Sequence, residues 1–449
     1  MGADRAGREG RGLADGPLPA AGASRPAETG AATSPGRLSV VAVSAARILL
    51  YANFMTVAAC IPALRQDWHL GAAEAGSIVT SFTIGYALSL FGFGWLAERQ
   101  GAKRAAVLSA VASAAASVAF GLFARDYASA TALYALVGLA QGGSYTPLIM
   151  VFADNTPTER RGTAMGWLIA STSLGYALSL VLSGAALAVS GWPLAFLLTG
   201  LLPALGALAL LWLLREARNI VHERPAGGGA VSLILRPGDA RTLVAGYTLH
   251  SWELLGMWAW MPAFLAASLA LGASGGAAAT LSFGAISGGA FLSGVLHLAG
   301  ASAAFSIGRL SDRIGRRKAM LLASSLSAVL SLVIGWLVAL SPVLLVPLGL
   351  VYAFACIGDS PVLSTALTEA VPPGRLGSVL AVRSLLGFGA GAIAPLAVGG
   401  VLDLGAALDL GPAVRWGLAF LSLGLGGLAA AWFAARVGRN ATTARVLRH

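Results

Sequence analysis

Charge is what this sequence has least of. Asp, Glu, Lys and Arg make up 11% of its 449 residues, where a soluble domain carries about a quarter. That deficit excludes a globule facing water on all sides. Cysteine is scarcer still: with only Cys60 and Cys356, neither a disulfide framework nor a cysteine metal site is available, and both read as small apolar packing residues. No segment has the form GxxxxGK[ST], which argues against a fused ATPase. The acids fall into no nucleophile–base–orienter set and no metal-ligand cluster, so neither an enzyme nor a cofactor is expected. Residues 1–38, mostly Gly, Ala, Pro and Arg, hold no apolar run like a signal-peptide core before Leu38. They read as a disordered cytoplasmic tail.

What the sequence has in quantity is apolar length. Hydrophobic residues are 57% of the chain, and about 20 consecutive apolar residues cross a bilayer as a helix. Twelve such spans can be marked, near 39–63, 73–97, 104–123, 128–152, 162–189, 193–215, 242–267, 279–307, 318–340, 342–369, 377–404 and 413–436. The net charge of +11 raises the question of nucleic acid, but its distribution answers it. With the N-terminus in the cytoplasm, the cytoplasmic segments hold 25 of the 30 Lys and Arg, and the outer loops hold only Arg65, Arg125 and Arg415. Such asymmetry orients a multi-pass protein in a plasma (inner) membrane with both termini cytoplasmic, and needs no nucleic-acid partner.

An internal repeat organises the spans. "GWLAERQGAKR" (94–104) follows the second span and "GRLSDRIGRRK" (308–318) the eighth, with Gly94 and Gly308 214 residues apart. "DNTPTERRG" and "EAVPPGRLG" end at Gly162 and Gly377, 215 apart. The expected chain is therefore all-α, with twelve transmembrane helices in two pseudo-symmetric six-helix bundles, 39–215 and 242–436. A cytoplasmic linker, 216–241, joins them, and a cytoplasmic tail, 437–449, follows. Duplicated halves of this kind mark transporter folds.

From about residue 39 to 436 the chain resembles the major facilitator superfamily. The family's loop motif is matched by Gly308, Leu310, Asp312, Arg313, Gly315, Arg316 and Arg317. The first copy keeps Gly94, Leu96, Arg99, Gly101 and Lys103, but has Glu98 for the aspartate and Ala102 for a base. The glycines are expected to let the chain turn tightly, and the bases to anchor the loop. The resemblance implies that Asp312 helps hold a cytoplasmic gate; a plain topology anchor is the alternative, for Glu98 as well. Asp154 and Glu369, equivalent by the 215 offset, are further gate candidates beside Arg160 and Arg375. Gln141 and Gly142 stand where the family commonly has them, but the arginine expected three residues before Gln141 is Gly138. The Gly-Pro step that marks many drug-exporting relatives is missing from the fifth span. Gly387, Gly391, Pro395 and Gly399, at spacing four in the eleventh, read as a packing stripe.

Polar residues inside a membrane usually face a cavity and serve function. The resemblance puts spans 1, 4, 7 and 10 around a central cavity, and polar residues fall on all four: Arg47 and Asn53, Gln141 and Tyr145, His250 and Glu253, and Asp359. Burial disfavours a charged carboxylate, which suits it to take up and release a proton. Glu253 is the first candidate for proton coupling, with His250, one helical turn away, tuning it or sharing the proton. A fixed structural pair is the alternative. Asp359 is a second titrating acid or the partner of Arg383. Arg47 and Arg383 would neutralise an anionic solute through the guanidinium fork, or else snorkel to the interface. Trp252 lies too deep for an interfacial belt and is expected to line the cavity, whereas Trp258 and Trp260 read as belt or packing residues. The expected function is secondary active transport of a small anionic solute by alternating access, coupled to protons, by a monomer in the lipid bilayer. Export of an amphipathic drug-like compound is the second reading, and a non-transporting membrane sensor a third.

Overall fold

The computed structural model describes residues 39–156, 158–221, 234–235, 238–273, 283–371 and 373–438. The expected N-terminal tail, the middle of the linker and the C-terminal tail beyond residue 438 lie outside the described residues.

Every described span is helical. The first bundle contains α1a (Val40–Leu50), α1b (Thr56–Asp67), α2 (Ala72–Gln100), α3 (Ala102–Phe123), α4a (Tyr127–Gln141), α4b (Thr146–Asn155), α5 (Thr158–Ser190) and α6 (Trp192–Leu214). The second contains α7 (Asp239–Ala273), α8 (Phe283–Ile314), α9 (Arg316–Ile334), α10 (Pro342–Ala370), α11 (Pro373–Ala407) and α12 (Pro412–Ala434). Eleven spans are long and apolar enough to cross a membrane. The twelfth expected span, the first in the chain, is interrupted at residues 51–55. Large apolar side chains such as Leu208 (64% exposed) and Val343 (79%) face outward. Such a surface suits lipid, and it is the structural counterpart of the missing charge.

The break in α1 carries neither Gly nor Pro; neighbouring side chains make it tolerable. Tyr134 Oη donates to the carbonyls of Asn53 (3.0 Å) and Phe54 (2.7 Å), and Gln141 Nε2 to that of Leu50 (2.8 Å). Met55 N–H donates to Ser179 Oγ (3.1 Å), and the Asn53 amide bonds Ser117. Backbone freed inside a membrane survives only where protein groups satisfy it in this way. A second break, the 3-10 turn Gly142–Ser144, separates α4a from α4b. Its two glycines let α2 and α3 approach: a Cβ at Gly142 would overlap Ser89, and one at Gly143 would overlap Ser109.

Of the repeated motif's glycines, only one per copy turns the chain. Gly101 (φ 93°) and Gly315 (φ 89°) take backbone angles that only glycine adopts easily. Gly94 and Gly308, expected to serve the turn as well, lie inside α2 and α8, where a Cβ would meet nothing within 4 Å. Their neighbours in both helices are helix-forming, so the turn waits for the one residue that tolerates positive φ. The residue two places after each turn glycine caps the last helix of its own bundle. Lys103 Nζ donates to the carbonyls of Arg215 and Ala217 beyond α6 (2.8 and 2.9 Å), and Arg317 to that of Ala435 beyond α12 (2.9 Å). These are helix-end acceptors that would otherwise lack partners.

The bundles meet most closely at the end away from the motif turns. Asp403 of α11 accepts hydrogen bonds from Ala72 N (2.7 Å) and Ala73 N (2.8 Å), the first amides of α2, and lies 3.9 Å from the Arg65 guanidinium. Thr80 Oγ1 donates to the Ala392 carbonyl (2.6 Å) and Ser287 Oγ to that of Gly184 (2.7 Å). Ile61, Ala72 and Ala75 pack into the second bundle's core, as Ile286 and Ala290 of α8 pack into the first. The α11 stripe serves two partners: Gly387 and Gly391 admit α7, whereas Pro395 and Gly399 lie against the backbone of α2 at Gly76 and Ala72.

Candidate functional site

Arg47, on α1a, is completely buried. Its Nε donates to the Ser144 carbonyl freed by the α4 break (2.7 Å). Its Nη1 lies 2.7 Å from the Leu168 carbonyl, 2.7 Å from Ser171 Oγ and 2.8 Å from Thr172 Oγ1, and its Nη2 reaches Tyr51 Oη at 3.0 Å. The guanidinium stacks on Tyr51 at 4.3 Å and stands 5.7 Å from the ring of Tyr145. It does not snorkel. Its donors hold α1, α4 and α5 together and leave a fixed positive charge in the first bundle. Asn53 and Gln141, also fully buried, serve the break in α1, and Asn53 Oδ1 and Gln141 Oε1 accept no hydrogen bond.

Arg383, on α11, is 7% exposed. It stacks over Tyr247 at 4.1 Å and donates from Nη1 to Ser364 Oγ (2.9 Å), while its Nε–H has no acceptor. Tyr145 of the first bundle is close enough to feel Arg47, Arg383 and Tyr247 together. Each bundle thus holds one buried guanidinium, Arg47 beside Tyr145 and Arg383 over Tyr247, and Arg383 has a donor to spare.

Beside this pair lies a buried acid–imidazole contact. Asp359 Oδ1 is 3.0 Å from His250 Nδ1, off the line of a hydrogen bond, and both side chains are almost wholly buried. His250 Nε2 lies 2.7 Å from Ser360 Oγ, and Ser364 Oγ donates to the Ser360 carbonyl (2.8 Å). Asp359, His250, Ser360, Ser364 and Arg383 thus lie in succession, but Ser360 meets His250 through its hydroxyl and Ser364 through its backbone carbonyl, so the contacts do not form one hydrogen-bonded chain. Asp359 does not pair with Arg383, one of the two readings open to it, for a geometric reason. Five residues of helix separate it from Ser364, so the two leave α10 on different faces.

The same geometry separates His250 from Glu253. Glu253, 2% exposed, turns toward α9 and α12, where its Oε1 accepts from Ser327 Oγ (2.7 Å) and its other oxygen abuts Gly427. Neither the imidazole nor a tryptophan N–H bonds it. Trp252 also points to α12, donating to the Ser422 carbonyl (3.1 Å), and so stands away from the bundle interface. Trp260 is fully buried and donates to the Pro395 carbonyl (2.9 Å), a packing role.

At the motif end, Arg316 joins both acids expected there. It bonds Asp312 and Ser311, and it reaches Glu369 Oε1 from Nη2 at 3.1 Å. All four belong to the second bundle. Arg99 stacks on Trp95 at 3.9 Å, and Arg313 closes the last turn of α8. The side chains of Arg160 and Arg375, expected beside Asp154 and Glu369, lie outside the described residues. Gly138, where the family's arginine is missing, presses against the backbone of Phe82 in α2. No side chain fits there.

Sequence reasoning did not single out Tyr176 or His297, which pack with Trp258. Tyr176 meets Trp258 and His297 edge to face between α5, α7 and α8, and Trp258 and His297 are tilted against each other; Trp258 was expected as a belt or packing residue. A lone histidine in the eighth span was the available signal. Among the described residues no group of His, Cys, Asp and Glu could hold a metal ion.

The chain matches the sequence profile of the Major Facilitator Superfamily over residues 43–395. A 4-hydroxybenzoate transporter from Pseudomonas aeruginosa is 31% identical over 182 residues, and the match spans only 39% of either chain. A probable 4-methylmuconolactone transporter from Cupriavidus pinatubonensis is 28% identical over 322 residues, 70% of this chain and 71% of the relative. A bacterial homolog of the human lysosomal transporter Spinster, solved inward-facing and unoccupied, superposes with a TM-score of 0.69 at 16% identity over 91% of this chain and 98% of that one. The last likeness concerns the fold alone.

Proposed function

The chain belongs to the Major Facilitator Superfamily, and on that premise we propose that it carries a small organic anion across the membrane by alternating access, with protons moving through the Asp359–His250 pair. The observation that carries this reading is Arg383: buried, with an unused Nε–H, and bonded to Ser364, one helical turn from the Ser360 whose hydroxyl meets His250. A carboxylate arriving there would take that donor, and a second buried cation, Arg47, stands beside Tyr145 in the first bundle. Guanidinium stays charged at any physiological pH, so the anion site persists while the acid–imidazole pair gains or loses a proton. Relatives named for 4-hydroxybenzoate and 4-methylmuconolactone support an organic, ring-bearing solute. The Lys- and Arg-bearing motif turns mark their end as cytoplasmic, so contacts at Asp403, Thr80 and Ser287 close the outer side. The motif-end network of Asp312, Arg316 and Glu369 would regulate the inner side.

Proteoliposomes with a trapped pH dye test the proposal. Addition of 4-hydroxybenzoate should drive proton movement in the wild type, whereas Asp359→Asn should exchange the solute without moving protons. Unchanged proton movement in Asp359→Asn would remove the pair from the mechanism and return attention to Glu253. Failure to carry any carboxylate, with uptake of an amphipathic cation instead, would overturn the anion reading.

A further inference from the structure

One outward surface of the second bundle carries a charge pattern that the arginine site does not use. On α12, Leu425, Leu428, Trp432 and Arg436 follow one another at steps of three and four, which sets them along one face of the helix. The first three are 44–56% exposed, so that face looks out of the bundle. Arg436, exposed just past the helix end, stacks over the Trp432 ring at 3.3 Å. α9 lies alongside, with Leu332 packed against Gly424. Its own exposed face runs from Lys318 through Leu322 and Leu326 at steps of four. Arg317 ties the two helix ends together through the Ala435 carbonyl. Two apolar faces thus rise side by side from three bases, Arg317, Lys318 and Arg436.

The acids near this cluster are engaged elsewhere. Asp239 is only 4% exposed and accepts from Gly438 N (3.2 Å), and Asp312 and Glu369 are held by Arg316. Among the described residues no carboxylate pairs with Arg436. The first bundle differs at the equivalent place. Trp212, 220 residues before Trp432, is also exposed and has Arg215 over its ring at 5.0 Å, but Arg215 Nε lies 3.4 Å from Glu216 Oε1. Trp336, exposed beyond the other end of α9, donates to the Leu332 carbonyl of its own helix, and among the described residues no cation stacks on it. An exposed indole is therefore common to three places, and an uncompensated cation over it to one. Indole rings settle at the level of lipid headgroups. A guanidinium held over such a ring stands at the depth of the phosphates, and its planar fork matches two phosphate oxygens. The leucines below it suit acyl chains, so the complementary ligand carries a phosphate and a chain together.

We propose that the α9–α12 face is a binding site for an anionic glycerophospholipid, with its phosphate on Arg436 and the neighbouring bases and its chains along the leucines. A zwitterionic lipid offers the same chains and phosphate, but its headgroup ammonium cancels the charge that the bases attract. The site does not rest on the transport reading.

The full chain in phosphatidylcholine nanodiscs, doped with a trace of diazirine-bearing phosphatidylglycerol or diazirine-bearing phosphatidylcholine, tests the site once adducts are mapped by mass spectrometry. Phosphatidylglycerol should label the α9–α12 face about tenfold more than phosphatidylcholine. Arg436→Gln with Lys318→Gln should bring the two within about twofold by lowering the phosphatidylglycerol adducts alone, whereas Arg215→Gln should leave the preference intact. Equal labelling in the wild type, or a preference that survives the double substitution, would overturn the site. Loss of both lipids' adducts in the double variant would overturn it as well, because the bases would then hold the helices rather than a headgroup. An equal fall on Arg215→Gln would reduce the preference to the general charge of this end of the protein.

Discussion

Asp403 offers the sharpest test of how the bundles close. Its carboxylate accepts from the first two amides of α2, and it can act only while the two bundles touch at the outer end. Charge-assisted hydrogen bonds contribute about 1.5–3 kcal/mol each when shielded from water. This side chain is 36% exposed, so water recovers much of that when the contact opens. The Arg65 pair, 3.9 Å apart and similarly exposed, adds less than about 1 kcal/mol. A net loss of about 1–2 kcal/mol on Asp403→Ala should shift the closed-to-open ratio at the outer end by roughly five- to thirtyfold. Spin labels at Val189→Cys and Leu408→Cys, 81% and 62% exposed in the parent residues, would report it as a longer distance between the bundles. The native thiols, Cys60 and Cys356, are buried and would stay unlabelled. An unchanged distance distribution in Asp403→Ala would refute the reasoning, because the carboxylate's amide partners and Arg65 all belong to the opposite bundle.

Two further outcomes follow from contacts inside single bundles. Gly138→Ala puts a methyl group into the Phe82 backbone, and overpacking of this kind costs about 1–3 kcal/mol; a lower melting temperature in detergent checks it, and an unchanged one would mean that α2 and α4a yield freely. Arg316→Gln removes bonds to Asp312 and Glu369, all within the second bundle; in the outer-closed state it should lower thermal stability by no more than about 1 kcal/mol without moving labels across the motif end. A change in that distance would instead give the network a direct part in holding the bundles.

Much of the candidate site could be listed from the sequence but not assembled. Arg47, His250, Asp359 and Arg383 stood out because ionisable groups are rare in apolar spans. Their pairing did not follow from spacing. His250 and Glu253 are close in sequence, yet a rotation of about 60° between residues three apart on a helix was enough to send one to α10 and the other to α9. Asp403 escaped notice because an acid near a helix end needs no explanation in sequence, and the amides it caps lie more than 300 residues away.

The sequence alone determined what depends on local chemistry. Apolar length set the spans, the spread of Lys and Arg set the expected orientation, and two glycines marked the turns because only they adopt positive φ without strain. The tertiary structure decided everything that required a distant partner. The break in α1 exists because Tyr134, Gln141 and Ser179 satisfy its backbone, and nothing in residues 51–55 announces it. Gly138 is small because another helix runs against it. The buried charges have their roles because the membrane supplies no water, so each group takes its meaning from the protein atom that reaches it.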